Sequence, residues 1–386
     1  TFQRFNETKF PNEKIVLSPR HFRDALVIRK LNDNLRRAYN LKQANRNDLI
    51  KQLRTLLSER VPFTILRLDI ESFYENIDRY SLLDTVFRDA FLSVESQTLL
   101  QKLFERPQIR NKEGLPRGLS ISSYLAELYL REFDKRIMSL PSVYFYTRYV
   151  DDIIVLSTDP DLSRTHIEEH LPGRLKLNEE KSTSGVRVGC RCERYCRCNG
   201  HCRCLVTCKC RPADRAALSL DYLGYQFRTS KVPESNQGQK QNQKPKSVSV
   251  GLSNNKKAKI KTRIIKSFLD YIDTGNYSLL KNRIEFLTSN HVVKEDTNGK
   301  KAKAGIYYSY IFLDNDCKDL DELNSFLRAT IWSKKGRIGR NLSVKLSNSA
   351  KKDLSRYSFK YGFRYRHCNS FSTERIYEIS RCWKNG

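Results

Sequence analysis

No run of apolar residues in this chain approaches the roughly 20 that a membrane-spanning helix needs, so the sequence gives no reason to place it inside a bilayer. No secretory leader is visible over the first residues, so an exported protein is not expected. Acidic residues are the other shortage: 43 Asp and Glu face 71 Lys and Arg, for a formal net charge of +28. An excess of that size repels itself in a compact state unless a polyanion is at hand, so nucleic acid is the expected partner and a membrane surface the weaker alternative. Proline and glycine are missing from residues 22–58. There Leu26, Ile28, Leu31 and Leu35, then Leu49, Ile50, Leu53 and Leu57, follow helical spacing and predict a compact helical region within residues 1–60. With 386 residues, two or three subdomains can each bury a sizeable core.

What is present is most informative at Tyr149-Val150-Asp151-Asp152. Two adjacent carboxylates stand between the β-rich runs Val143–Tyr146 and Ile153–Leu156, which predicts paired strands joined by a tight turn. Two such charges beside a sheet repel unless cations neutralise them; a solvated hairpin tip is the plain alternative. A second strand-like run, Val61 to Ile70, carries Asp69 near its end and is followed by Glu71-Ser72-Phe73-Tyr74. An acid at one strand end facing an acid pair is a layout for two divalent ions about 3.5–4 Å apart, as used in phosphoryl displacement. Mg²⁺ suits it, because it accepts few carboxylates and keeps positions for substrate phosphates. Residues 79–105 and 119–138 read as helices on either side of an Arg110–Gly118 loop.

The order Asp69-x-x-x-Phe73-Tyr74, Gly114-Leu115-Pro116-Arg117-Gly118-Leu119-Ser120 and Tyr149-Val150-Asp151-Asp152 resembles motifs A, B and C of reverse transcriptases. Leu175–Ser182 is similar to motif D and Tyr222–Phe227 to the primer-grip motif E. The resemblance implies an α+β right-hand polymerase with helical fingers (1–60), a palm of antiparallel sheet backed by helices (61–185), a primer-grip region (213–232) and a basic, helical or mixed thumb (248–386). It implies catalysis by Asp69, Asp151 and Asp152, which with the Ile70 carbonyl would bind two Mg²⁺. Those ions would activate a primer 3′-hydroxyl and neutralise the leaving pyrophosphate. Tyr74 matches the ring that crowds a 2′-hydroxyl, Gly118 belongs to the nucleotide-binding loop, Lys181 matches the motif D lysine, and Tyr222, Leu223 and Gly224 match the primer grip. The plain alternatives are a core aromatic for Tyr74 and a surface lysine for Lys181. Arg117 departs from the family, which usually has Gln there, and so leaves that nucleotide contact open.

Eight of the eleven cysteines form four Cys-x-Cys pairs at a six-residue step: Cys190 with Cys192, Cys196 with Cys198, Cys202 with Cys204, and Cys208 with Cys210. In a cytosolic protein such thiols read as metal ligands rather than disulfides. Zn–S bonds of about 2.3 Å demand a bent backbone at each pair, since an extended Cys-x-Cys spans about 6.6–7 Å between Cα atoms. Two Cys₄ sites or a bridged cluster would satisfy eight thiolates, with His201 to spare. Structural Zn²⁺ is expected ahead of iron–sulfur or Cu(I). The arginine-rich insertion, residues 186–212, is expected to present its charge to nucleic acid.

Pro233 to Lys246 is polar and low in complexity, hence a linker over 233–247. Lys256, Lys257, Lys259, Lys261, Arg263 and Lys266 decorate a helical run with Ile260, Ile264, Ile265 and Phe268, placed where a polymerase thumb grips duplex backbone. Tyr357, Phe359, Tyr361, Phe363 and Tyr365 alternate with small or basic residues, which predicts a strand whose aromatic face packs a sheet, with base stacking as the alternative.

Within the family the chain is similar to the bacterial defence-associated, abortive-infection-like (unknown-group) class. The carriers are Leu26–Asp33, the Gly-Leu-Pro-Arg-Gly loop, the Cys block and Gly305-Ile306-Tyr307-Tyr308, which resemble the smaller, A component of type 3 defence-associated systems. That resemblance implies an RNA template (a structured non-coding RNA), dNTPs, a DNA product, a second reverse transcriptase subunit, a higher-order oligomer and a bacterial cytoplasmic setting. No integrase, RNase H, protease, maturase or endonuclease region is visible. A template-independent nucleotidyl transferase, a retron- or group II intron-like enzyme and a catalytically silent RNA-binding scaffold remain the alternatives.

Overall fold

The computed structural model describes residues 2–9, 14–58, 63–188, 219–229, 248–295 and 301–383. The chain divides into two compact units. Among the described residues the first runs to Val188, and the second takes in Ser219–Thr229 and everything from Val248 onward. The eight expected zinc ligands, Cys190, Cys192, Cys196, Cys198, Cys202, Cys204, Cys208 and Cys210, lie outside the described residues, as does the 233–247 linker.

The first unit runs β1 (Asn6–Lys9), β2 (Ile15–Ser18), α1 (Phe22–Ala38), α2 (Arg46–Leu57), β3 (Phe63–Asp69), α3 (Phe73–Asn76), α4 (Arg79–Asp89), α5 (Val94–Phe104), α6 (Pro107–Arg110), α7 (Ser120–Tyr129), α8 (Arg131–Met138), β4 (Val143–Tyr149), β5 (Asp152–Ser157), α9 (Arg164–Glu168) and β6 (Thr183–Val188). Its main sheet is antiparallel with order β4-β5-β3-β6. Because β5 and β3 are interior strands, both are apolar almost throughout, and Ile153 to Ser157 are all buried. Leu66, Leu68, Ile153 and Val155 meet Leu31, Leu35, Leu103, Leu125, Phe133 and Ile137 from the helices in one core. Burying each such side chain contributes about 1.5–3 kcal/mol before entropy is counted. Helix starts follow local chemistry: Asn45 caps α2, Asp78 accepts from the amides of Tyr80 and Ser81, and Ser93 caps α5.

The helical expectation for residues 1–60 holds for α1 and α2 but overlooked the β1–β2 hairpin, whose strands are only four residues each. Of the apolar residues assigned to the face of α1, Leu26 is exposed, whereas Ile28, Leu31 and Leu35 are buried.

The second unit comprises β7 (Ser219–Tyr222), β8 (Tyr225–Thr229), β9 (Val248–Leu252), α10 (Asn254–Thr274), α11 (Tyr277–Thr288), β10 (Asn290–Glu295), β11 (Lys301–Gly305), α12 (Lys318–Trp332), α13 (Gly336–Lys345), α14 (Asn348–Leu354), α15 (Phe359–Arg364), β12 (Cys368–Asn369) and α16 (Thr373–Arg381). Strands β7-β8-β9 form one sheet and β11-β10-β12 another. Asp319 of α12, 4% exposed, ties the first sheet down. It accepts from the Leu252 amide at 2.9 Å and pairs with Arg228 at 3.2 Å and Lys257 at 3.1 Å. Lys257 and Lys261 also bind Glu322, so part of the basic face of α10 is neutralised within the unit. Lys259 is exposed.

The strand expected over Tyr357–Tyr365 is a helix instead. Its alternation is also two interleaved i,i+4 pairs, and that reading wins. Phe359 and Phe363 face inward while Tyr361 and Tyr365 face out. Ser358 caps the helix through the Tyr361 amide, and the Phe359 amide donates to Asn324 Oδ1 at 2.7 Å. Gly362 is needed for contact: a Cβ there would stand 1.9 Å from the Thr288 carbonyl oxygen.

Candidate active site

Three acids meet at one end of the first unit's main sheet. Asp69, the last residue of β3, is in register with Asp152, the first residue of β5, and Asp152 is in register with Tyr149 of β4. The intervening turn holds only Val150 and Asp151, and the Asp151 carbonyl accepts from the Ile70 amide at 3.1 Å. Asp69 is buried, while Asp151 and Asp152 are half-buried. Burial pushes both the Asp151 and Asp152 carboxyls above the usual aspartate range, and the charge of Asp69 adds to the rise. Arg67 and Lys181 pull in the opposite direction.

Two cations of the protein are already committed to this cluster. Lys181 Nζ stands 3.2 Å from Asp69 Oδ2, and Arg67 Nη2 stands 3.4 Å from Asp152 Oδ1. Among the described residues no group of three or more His, Cys, Asp or Glu side chains stands close enough to hold a metal ion as placed. The donor set still fits Mg²⁺: it is all oxygen, from carboxylates on adjacent strand ends and the turn beside them.

The segment that delivers Lys181 is stitched to β3 by backbone. The Asn178 amide donates to the Asp69 carbonyl at 2.7 Å, and the Glu71 amide donates to the Lys176 carbonyl at 2.9 Å. The Asp69 amide donates to Ser182 Oγ at 3.2 Å.

Beside the acids, Ser72 takes a left-handed conformation (φ +44°) that turns the chain into α3. Phe73 is buried, and Tyr74 is half-buried against the core, 5.3 Å from the Phe73 ring. The glycine loop lies directly on this helix. Gly114 has φ +69°, and a Cβ there would stand 2.1 Å from the Tyr74 carbonyl oxygen. Gly118 has φ +92°, with room for no Cβ beside the Leu17 carbonyl oxygen, 2.3 Å away. Both positions require glycine. Arg117 forms a two-pronged pair with Glu75, at 2.6 and 2.9 Å, and its guanidinium lies 5.2 Å over the Tyr74 ring. A cleft of about 490 Å³ opens here, lined among others by Lys14, Ser72, Glu75, Gln108, Lys112 and Arg117.

The family model for reverse transcriptase (RNA-dependent DNA polymerase) matches residues 25–227, a span that contains every acid and loop just described. The chain belongs to the reverse transcriptase family. It is therefore an RNA-directed DNA polymerase, a nucleotidyltransferase that takes an RNA template and dNTPs and yields DNA. Among curated proteins none matches the chain.

In this reverse transcriptase Asp69, Ile70, Asp151, Asp152 and Lys181 come together, with Tyr74, Arg117 and Gly118 alongside. Tyr222, Leu223 and Gly224 belong to the second unit. There Leu223 (φ +46°) and Gly224 (φ +85°) make the two-residue turn between β7 and β8, with both central residues left-handed as a type I′ hairpin requires. Tyr222 and Tyr225 flank the turn and are buried. Cys190, Cys192, Cys196, Cys198, Cys202, Cys204, Cys208 and Cys210, expected to bind zinc, fall outside the described residues. Among the described residues of the reverse transcriptase, no helix is long and apolar enough to cross a membrane.

Sequence reading missed two residues in contact with the site: Arg67 and Glu75. Arg67 was readable, as a lone cation in an otherwise apolar interior strand must face a buried acid. Glu75 follows Tyr74 directly, but its pairing with Arg117 spans 42 residues and leaves no local trace.

Proposed function

We propose that this reverse transcriptase copies an RNA template into DNA by two-metal nucleotidyl transfer centred on Asp69, Asp151 and Asp152. The observation that carries the reading is the register of Asp69 with Asp152 across neighbouring strands, with Asp151 in the turn between them and β4. Mg²⁺, held by these three acids and the Ile70 carbonyl, would supply Lewis-acid stabilisation of the attacking and leaving oxygens. The chain's own residues do the rest. Lys181 places an ammonium beside Asp69, within reach of charge developing on a leaving group. Tyr74, pressed between Phe73 and Arg117, presents a ring that screens the sugar of the incoming nucleotide. Arg117 is held by Glu75 and so acts on that ring, in place of the direct nucleotide contact usual for the family's Gln.

The first unit supplies fingers and palm on this reading, and the second supplies the primer grip, around Leu223 and Gly224, and the thumb. The Cys block binds structural Zn²⁺. The biological setting we infer is bacterial antiphage defence, with a non-coding RNA as template and a second reverse transcriptase as partner. Support for that setting is the likeness of Leu26–Asp33, Gly114–Gly118, the Cys block and Gly305–Tyr308 to the smaller component of type 3 systems. The deciding experiment is to sequence the DNA made by purified protein with and without its co-purified RNA. Product complementary to that RNA supports the reading. Product independent of it supports template-free transfer, and no product from protein with all three acids intact supports a silent scaffold.

A further inference from the structure

Val150 is the odd residue of the turn that carries the acid pair. It sits at φ +61°, a left-handed conformation that β-branched side chains rarely adopt. Of the two central residues of this hairpin only the first has positive φ, a sign that glycine adopts most readily. Something must therefore hold the strained residue in place.

The Val150 carbonyl accepts a hydrogen bond from Arg148 Nη1 at 3.0 Å. The rest of that guanidinium is fully engaged. Its Nε and Nη2 donate to Asp134 at 3.0 and 2.7 Å, and its Nη1 and Nη2 donate to Glu127 at 3.3 and 2.6 Å. The side chain is 4% exposed. Glu127 lies on α7 and Asp134 on α8, and the Tyr146 hydroxyl also donates to Asp134. On the far side, the Asp151 carbonyl is taken by the Ile70 amide. A buried pair that merely joined helices to sheet would need no bond to the turn, and lysine or apolar residues could replace it. The bond to Val150 is directional and local.

We propose that Arg148 is a positioning residue for DNA synthesis: anchored on Glu127 and Asp134, it holds Val150 left-handed and thereby sets where Asp151 and Asp152 point. It touches neither substrate nor metal. This rests on the reading of Asp151 and Asp152 as the reaction's acids.

The test is a double-mutant cycle on the full chain, measuring primer extension at varied dNTP and Mg²⁺. Arg148→Lys keeps the charge but loses the fork. It should lower kcat about 10–100-fold, the scale of a sub-ångström to 1 Å misplacement, raise the Mg²⁺ needed for half-maximal rate and leave the dNTP KM within about twofold. Glycine adopts this turn unaided, so Arg148→Lys should cost at least about fivefold less in a Val150→Gly background. Equal losses in both backgrounds would overturn the proposal and leave Arg148 as packing alone. Where Arg148→Lys fails to fold, Glu127→Gln replaces it in the same cycle and is judged by the same inequality. Asp151→Asn serves as the control. Wild-type synthesis by Asp151→Asn would overturn the assignment of the acids, whereas additivity with Asp151→Asn inactive overturns the role of Arg148 only.

Discussion

Lys181 Nζ lies 3.2 Å from Asp69 Oδ2, joining the lysine of the fourth motif to the acid of the first. The lysine side chain is 61% exposed and the aspartate only 10%, so the cation comes in from solvent to a fixed anion. Such a contact is replaceable, because a half-exposed ion pair contributes little net stability. Lys181→Gln should therefore leave the melting temperature within about 2 °C, lower kcat about 10–100-fold as lost charge stabilisation does, and reduce the Mg²⁺ needed for half-maximal rate. Primer extension across a Mg²⁺ series checks this. A higher Mg²⁺ requirement in the variant would mean that Lys181 does not compete for Asp69.

Asp151→Asn combined with Asp152→Asn should cut DNA synthesis by roughly 10³-fold or more, about 4 kcal/mol of barrier. RNA affinity should persist, since it draws on dispersed basic residues. Labelled dNTP incorporation and a filter-binding assay on one preparation separate the two.

The same variant carries a pH signature. Because both carboxyls titrate above their ordinary value, the folded chain retains protons that the unfolded chain has released. The stability this confers is fully present below the ordinary aspartate pKa of about 3.9 and is lost as pH rises through the raised folded values. In EDTA at pH 7 the double variant should melt above the wild type, and the gap should shrink toward pH 4. Mg²⁺ should raise the wild-type melting temperature and leave the variant unmoved.

Tyr74→Val should admit ribonucleotides, lowering the dNTP/rNTP preference about 10–200-fold, the range a single steric contact provides. Glu75→Gln, which loosens the Arg117 clamp over that ring, should shift the ratio in the same direction by less. An unchanged ratio in folded Tyr74→Val assigns the ring to the core alone.

Asp319→Ala removes a buried anion that holds Arg228, Lys257 and the Leu252 amide. Breaking such a pair costs about 3–5 kcal/mol. Burial alone would raise this carboxyl, but Arg228 and Lys257 hold it below the usual range. Its contribution is thus present above the ordinary aspartate pKa and lost as pH falls through the lower folded value. Chemical denaturation at pH 7 and pH 3 should show a smaller deficit of the variant at the lower pH.

Purified protein should contain tightly bound zinc, and Cys202→Ser with Cys204→Ser should lower its content while the acids remain competent. Elemental analysis under reducing conditions decides, and absence of zinc, iron and copper would retire the site.

The placement of Asp69, Asp151 and Asp152 on neighbouring strand ends was legible because its signals are local. A β-rich run ending in Asp69 and two apolar runs bracketing Asp151-Asp152 declare strand, turn and acid without any long-range knowledge. Tyr357–Tyr365 misled because a period of two also satisfies i,i+4, and the helix is the form that buries Phe359 and Phe363 with Gly362 against Thr288. Arg148 was invisible for a different reason. Its partners Glu127 and Asp134 lie 21 and 14 residues earlier on two other elements, and nothing in Arg-Tyr-Val-Asp-Asp marks the arginine as buried.

The strand order β4-β5-β3-β6 also sets a timetable for biosynthesis. β3 leaves the ribosome early, yet its two neighbours come later, and the contact from the Asp69 amide to Ser182 spans 113 residues. At translation speeds of about 5–20 residues per second, β3 waits roughly 6–23 s for its last partner. Until then an apolar strand is exposed beside helices already able to form, which is the interval when a chaperone would find it. A message truncated before β5 yields those helices with β3 unpaired and without Asp151 and Asp152.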